Sequence, residues 1–257
     1  MRMAVANHKG GGGKTTTAIN LASCLIERGK KVLIIDTDFQ GAATTGLGFD
    51  IDNLDYTLYD SMSDEDEPLK PIQTNIPNLD LVPSNMDLSG SNLELTGEVG
   101  WEFVLKIHLD KLLENCHYDY VISDCPPSLD VLTVNALVAS DAILIPLLPE
   151  PLALKGLTHL LRTLHMMKTR LNKDLLRYIL VTMYQKTTLH DTIIEAAREE
   201  LHNPTEGSFV FDTVIPRTIK VSEAYLESQP LSIYNPESTA GQAYKKLAEE
   251  VEQFDRL

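Results

Sequence analysis

The chain is short of cysteine, short of positive charge and without any long apolar run. Its three cysteines, Cys24, Cys116 and Cys125, are an odd and widely spaced set. They exclude a disulfide framework and a CxxC metal pair, and a reducing cytoplasm is the expected compartment. No apolar stretch reaches the roughly 18 residues that a membrane span needs. The segment 1–6 lacks the charged, apolar, then small order of a secretory leader. Lys and Arg number 22 against 37 Asp and Glu, a net charge of −15. That balance excludes a broad, passive nucleic-acid surface. Residues 1–150 hold 9 of the 22 basic residues and 151–257 hold 13, so a nucleic-acid surface is expected only as a local patch in the second half.

What is present is a globular composition, 43% apolar over 257 residues, enough for one large α/β domain. There is no internal repeat and no linker dividing the chain. Short apolar runs alternate with helical patterns, the signature of βαβ units and a parallel sheet. Strands are predicted at 3–6, 31–36, 79–82, 118–124, 142–148 and 178–183. Helices are predicted from Thr15 to about Glu27, ended by Gly29, and near 101–115, 128–138, 155–171, 189–202 and 239–255. The run DSMSDEDE at 60–67 reads as an acidic surface loop.

The chemistry begins after the first strand, in Asn7-His8-Lys9-Gly10-Gly11-Gly12-Gly13-Lys14-Thr15-Thr16-Thr17. Gly13, Lys14 and Thr15 meet the end of the phosphate-loop pattern G-x-x-x-x-G-K-[ST], but His8 stands where its first glycine belongs. The variant K-G-G-x-x-K-[ST] is met in full by Lys9 to Thr15. Glycines let backbone amides turn toward phosphates, and the next helix aims its positive end at them. Lys14 is expected on the β/γ-phosphates and the Thr15 hydroxyl on Mg²⁺. A second lysine, Lys9, has two readings. It is a solvent-exposed neighbour of the loop, or a cation delivered to a partner subunit's transferring phosphoryl group.

Two predicted strands end in aspartate, where ligands of open α/β sheets bind. KVLIIDTDFQ supplies Asp36 and Asp38, and YDYVISDCPP supplies Asp124. One such carboxylate suits Mg²⁺, and a second could orient an attacking water. A helix cap or turn residue is the alternative for each. Pro126 and Pro127 stiffen the turn that follows Asp124.

Together these segments resemble the ParA/Soj branch of the ParA/MinD superfamily of P-loop ATPases, with Lys9 as the signature lysine. NHKGGGGKTTTAINLA, VLIIDTDFQGAATTGLG, YDYVISDCPPSL, ILVTMY, VIPRTIKVSEA and YKKLAEEV carry the likeness over nearly the whole chain. The resemblance implies a P-loop fold, a mostly parallel twisted sheet with helices on both faces in a single domain. It implies ATP and Mg²⁺ as cofactors and a homodimer that sandwiches two ATP molecules, each Lys9 reaching the partner's phosphates. Gly10, Gly11, Gly12, Gly13, Lys14, Thr15 and Thr16 would bind the phosphates. Thr15, Asp124 and Asp36 would hold the metal, and Asp38 would position the hydrolytic water. Met183, Pro216 and Arg217 would border the adenine. A guanine-reading N-K-x-D is absent; Asn172-Lys173-Asp174-Leu175 has its Asp one place early.

The likeness further implies non-specific DNA binding in the ATP state through Lys186, Lys220 and Lys245, with Lys246 beside them. It implies a ParB-like or cargo-adaptor protein that stimulates hydrolysis, and a cytoplasmic, nucleoid-associated location away from membranes. Thr187 stands where an arginine is usual, Phe39 replaces the usual proline, and Lys155 stands where many relatives are acidic. A MinD-like membrane-associated regulator of the division site is the alternative. It needs a basic amphipathic C-terminal helix, and LAEEVEQFDRL is acidic. An iron–sulfur reductase component needs paired cysteines, and Cys125 has no evident companion. A binder of ATP without turnover is opposed by Asp38.

Overall fold

The chain is described from a computed structural model, which covers residues 1–64, 66–97 and 99–255, leaving aside the side chains of 92, 93 and 152–156. Eight strands form one sheet: β1 Arg2–Val5, β2 Val32–Asp36, β3 Ile72–Gln73, β4 Leu79–Val82, β5 Tyr120–Asp124, β6 Ala142–Leu147, β7 Leu176–Tyr184 and β8 Ser208–Pro216. Their order is β3-β4-β2-β5-β1-β6-β7-β8. Every pairing is parallel except β3 with β4. The order places β1 at the centre, so the loop that follows it opens between strands on either side.

The helices are α1 Lys14–Glu27, α2 Ala42–Gly46, α3 Leu58–Ser63, α4 Ser91–Leu95, α5 Val104–Asn115, α6 Val131–Val138, α7 Pro151–Leu171, α8 Thr188–Leu201, α9 Lys220–Leu226, α10 Leu231–Tyr234 and α11 Thr239–Phe254. Successive strand residues face opposite ways, so each strand feeds two cores. Met3, Val5, Val32, Ile34, Ile122 and Leu144 pack with α1 and α11 residues such as Leu21, Leu25, Tyr244 and Leu247. Ala4, Leu33, Ile35, Val121, Ile143 and Ile179 pack on the other face, with Leu109, Leu132, Leu160 and Ala197. Both faces of the sheet are thus covered, as buried parallel sheets require.

Three differences from the sequence expectation have physical causes. β8 was not predicted. Its apolar runs Phe209–Phe211 and Val214–Ile215 are split by an irregularity against β7, between Ile179 and Val181. The segment 60–67 is not a loop throughout: residues 60–63 belong to α3, where Ser61 and Met62 are buried; Glu65 lies outside the described residues. α6 begins at Val131 rather than 128, because the Asp130 side chain caps it by accepting from the Thr133 amide at 3.3 Å.

The free edge of β8 is closed by side chains and a turn. The Ser208 amide donates to the Asn203 carbonyl, the Val210 amide to His202 Nδ1 at 3.2 Å, and the Asp212 amide to Glu250 Oε2 at 2.9 Å. These alternate residues turn their N–H groups away from β7, and each is satisfied without another strand.

Candidate functional site

The sharp turn between β1 and α1 sets the site. Gly11 and Gly13 have φ of +73° and +84°, the left-handed region that side chains avoid. A Cβ at Gly12 would stand 3.2 Å from Leu148 Cδ1. The turn is pinned from beneath. Asn7 Nδ2 donates to the Pro146 carbonyl at 2.5 Å, and its Oδ1 accepts from the Lys9 amide at 3.2 Å. The Thr182 hydroxyl, at the end of β7, donates to the Gly12 carbonyl at 3.0 Å. Gly10 to Thr16 line a cavity of about 280 Å³ with Asp38, Pro127 and Met183. Met183 reaches it from a left-handed backbone, φ +54°.

Beneath the loop, β2 and β5 bring Asp36 and Asp124 side by side, paired residue to residue across the ladder. Both are fully buried, yet their surroundings differ. Asp36 Oδ2 accepts from the Thr44 amide and hydroxyl, each at 2.8 Å, and Oδ1 accepts from the Asp38 amide at 3.2 Å. Burial outweighs these bonds and pushes its carboxyl up to about 6. Asp124 has no hydrogen-bond partner of standard geometry on either oxygen. Burial and the Asp36 charge raise its carboxyl well above the usual range, with the nearby Thr15 hydroxyl and Lys14 ammonium opposing. Lys14 is itself buried; desolvation lowers its pKa, and the charges of Asp124, Cys125 and Asp38 offset part of that.

An orphaned buried carboxylate beside a hydroxyl and an ammonium fits a phosphate chain with a hard divalent cation. Mg²⁺ takes few protein ligands and leaves the rest to phosphate and water. Among the described residues no cluster of three His, Cys, Asp or Glu could hold a metal by itself. Thr15 and Asp124 would supply the protein ligands, and Asp36 spends its oxygens on Thr44 and Asp38. Asp38 follows at the cavity wall, its Oδ1 accepting from the Gln40 amide at 3.0 Å.

Not every expected residue meets at this cavity. Lys9 is outside its lining and forms an ion pair with Glu150, which precedes α7. Pro216 lines a separate groove of about 650 Å³ between β8 and α11, and the Arg217 amide donates to the Tyr184 carbonyl. Lys186 and Lys220 follow the ends of β7 and β8, Lys186 exposed and Lys220 paired with Glu223 at 2.6 Å. Lys245 is elsewhere: it pairs with Glu27 at 3.1 Å, at the far end of α1. At 1.5 Å per residue that end is about 20 Å from the phosphate turn. Thr187 has a structural use, capping α8 by accepting from the His190 amide at 3.2 Å. Lys155 lies outside the described side chains. Thr182, Asn7 and Glu150 were missed in the sequence. Only Asn7, next to the glycine run, left a local signal.

Comparison with known proteins settles the family. A family model described as an AAA domain matches residues 1–177. The sporulation initiation inhibitor protein Soj of Bacillus subtilis is 40% identical over 97% of both chains. This chain belongs to the ParA/MinD superfamily. Its ParA relative from Caulobacter vibrioides, a chromosome partitioning protein, is 41% identical over 97% of this chain and 92% of its own. Among solved structures, a superfamily-like fold appears in the cobyrinic acid a,c-diamide synthase of Mycobacterium smegmatis with bound ATP analogue and magnesium. It shares 33% identity and a TM-score of 0.83, covering 99% of this chain and 95% of that one. A ParA/MinD assignment accounts for the parallel sheet, the Lys9–Thr15 turn and the two strand-end aspartates together.

Proposed function

We propose that this chain is an ATPase that dimerises around ATP and Mg²⁺ and positions DNA or another intracellular cargo. The observation that carries the dimer is the placement of Lys9. Lys14 lines the phosphate cavity, so the phosphates already have a buried cation, while Lys9, next to Gly10, stays outside that lining, half-exposed and paired with Glu150. A second cation there is most useful to a neighbour's phosphates, where charge develops in transfer.

Within the site, the amides of Gly10 to Gly13 would cradle the phosphates, Lys14 would neutralise them, and Thr15 with Asp124 would hold Mg²⁺. Bound Mg²⁺ draws charge from the transferring phosphoryl oxygens. Asp38, at the cavity wall, orients the attacking water. Met183 borders the base from β7, with Pro216 and Arg217 on the neighbouring strand end.

DNA binding is assigned to Lys186 and Lys220, which share the nucleotide end of the sheet, and to Lys245 on α11, which pairs with Glu27. Phosphate contacts alone give such binding without sequence preference. A ParB-like or adaptor protein stimulates turnover, and the protein works in the cytoplasm on the nucleoid. The MinD-like alternative finds no support in α11: its apolar residues Tyr244, Leu247, Ala248 and Val251 are buried in the core and are not free to lie on a membrane. No helix among the described residues is long and apolar enough to cross one.

The test is light scattering of the Asp38→Ala variant, which should become a dimer with ATP and Mg²⁺ and remain a monomer with ADP. A monomer at saturating ATP defeats the sandwich. DNA affinity should require ATP and fall steeply with salt; equal affinity with ADP removes DNA from the scheme.

A further inference from the structure

The segment that carries Lys220, α9 with the turn into α10, touches both halves of the nucleotide site, α9 itself through Tyr225 and the start of α10 through Leu231. On one side, the Tyr225 hydroxyl, in the last turn of α9, donates to the Ala42 carbonyl at 3.1 Å. Its ring lies against Gly46, where a Cβ would come within 2.8 Å of Tyr225 Cε2. The Ser228 hydroxyl adds a long bond of 3.5 Å to the Thr45 carbonyl. All three contacts fall on α2, the short helix that follows Asp38. On the other side, the Leu231 amide donates to Asn20 Oδ1 at 2.7 Å, and Asn20 Nδ2 donates to the Thr16 carbonyl at 2.7 Å. Those contacts fall on α1, directly behind the phosphate turn.

The Asp38 side of this arrangement is joined to α2 by short contacts. The turn from Asp38 to Gly41 is closed by the Gly41 amide on the Asp38 carbonyl at 2.9 Å. Gly41 has φ +62°, and Ile51 and Ser84 stand so close that a Cβ would meet them at 2.8 and 3.0 Å. Thr44 ties α2 to Asp36 through two bonds of 2.8 Å. The Asp36–Asp38 segment is thus in direct contact with α2, through Thr44 on Asp36 and through the crowded turn at Gly41. The Tyr225 hydroxyl is close enough to feel the site: burial, then the charges of Asp36 and Asp124, push its pKa up and keep it a donor.

We propose that Tyr225 is a positioning residue that couples the Asp38 turn to α9, so that the nucleotide state sets the placement of Lys220 and hence affinity for DNA. This rests on the DNA-binding reading above. A ligand shifts a conformation only through contacts that differ between its states, and the Tyr225–Ala42 bond with the Gly46 contact is where α9 senses α2. Coupling of this kind is reciprocal: the factor by which ATP tightens DNA must equal the factor by which DNA tightens ATP.

The test compares affinity for a random-sequence duplex with a non-hydrolysable ATP analogue and with ADP, in the wild-type chain and in Tyr225→Phe, which loses only the hydroxyl. The wild type should bind the duplex more tightly with the analogue. In Tyr225→Phe that preference should shrink about fivefold, the worth of one hydrogen bond, and the duplex-induced gain in analogue affinity should shrink by the same factor. Analogue affinity without DNA should stay unchanged. Ser228→Ala should shift the preference the same way by less. A Tyr225→Phe variant that keeps the wild-type preference within twofold overturns the proposal. So does equal weakening in both nucleotide states, which marks a plain DNA contact. A wild type with no preference at all defeats the underlying DNA reading instead.

Discussion

The two ends of the sheet both carry carboxylates and treat them in opposite ways. At the end where the strands begin, acids are saturated with partners. Asp119 Oδ2 accepts from the Lys31 amide at 2.8 Å, Asp141 Oδ2 from the Arg2 amide at 2.9 Å, and Asp110 pairs with Arg2 at 2.6 Å and Lys106 at 2.5 Å. The bond from the Lys31 amide lowers the pKa of Asp119, and despite some burial the bonds from Lys106 and Arg2 lower that of Asp110. At the end where the strands finish, Asp36 and Asp124 are pushed upward and Asp124 is bare. The partners of Asp119 and Asp110 stabilise the charged form and the fold with it. The second set costs the fold something that a bound cation would offset.

Replacing Asp124 by Asn should break this contrast most visibly. Mg²⁺-dependent ATP turnover should fall about 100-fold, as for other disrupted metal environments, while the ligand-free chain melts no lower than wild type. A lower melting temperature in differential scanning fluorimetry would mean that Asp124 stabilises the fold after all.

A pH titration separates the two ends by sign. An acid whose folded pKa is raised binds its proton more readily in the folded state, so its contribution grows as pH falls from above the folded value toward about 4, the unfolded value. Asp36, at about 6, should therefore raise the melting temperature of the ligand-free chain between pH 7.5 and 5, and Asp124, raised by burial and by the Asp36 charge, acts in the same direction. Acids with depressed values act the other way, and Asp110 and Asp119 should withdraw stability as pH drops below about 4. Saturating ATP and Mg²⁺ should abolish the rise, because the cation holds the carboxylates charged. A rise that persists unchanged with both ligands would place its origin outside the site.

The smallest effect is expected at the saturated end. Asp119→Ala removes one bond to a backbone amide, worth about 1 kcal/mol, or roughly 2–4 °C in a chain of this size. Its turnover should equal that of wild type; a loss of turnover would show that the two ends are not independent.

How much of this was legible in the sequence follows from distance along the chain. The phosphate turn and both strand-end aspartates are local patterns, and the central strands are nearly unbroken apolar runs that can be read directly. β8 was hidden because Asp212 and Thr213 interrupt its apolar run, and the group that makes them tolerable, Glu250, is on α11. Thr182 and Glu150 support the site from 170 and 141 residues away, where no spacing rule reaches. The partner of Lys245 was out of reach for the same reason: only the packing of α11 against α1 brings Glu27 to it.

The closed edge of β8 limits what the molecule can join. Asn203, His202 and Glu250 leave the outward amides of Ser208, Val210 and Asp212 nothing to offer an incoming strand. Continuous sheets shared between molecules are thereby denied a starting point along that border. Crowding many copies of the chain together then carries little danger of irreversible fusion there, and contacts made elsewhere on the surface stay free to dissolve.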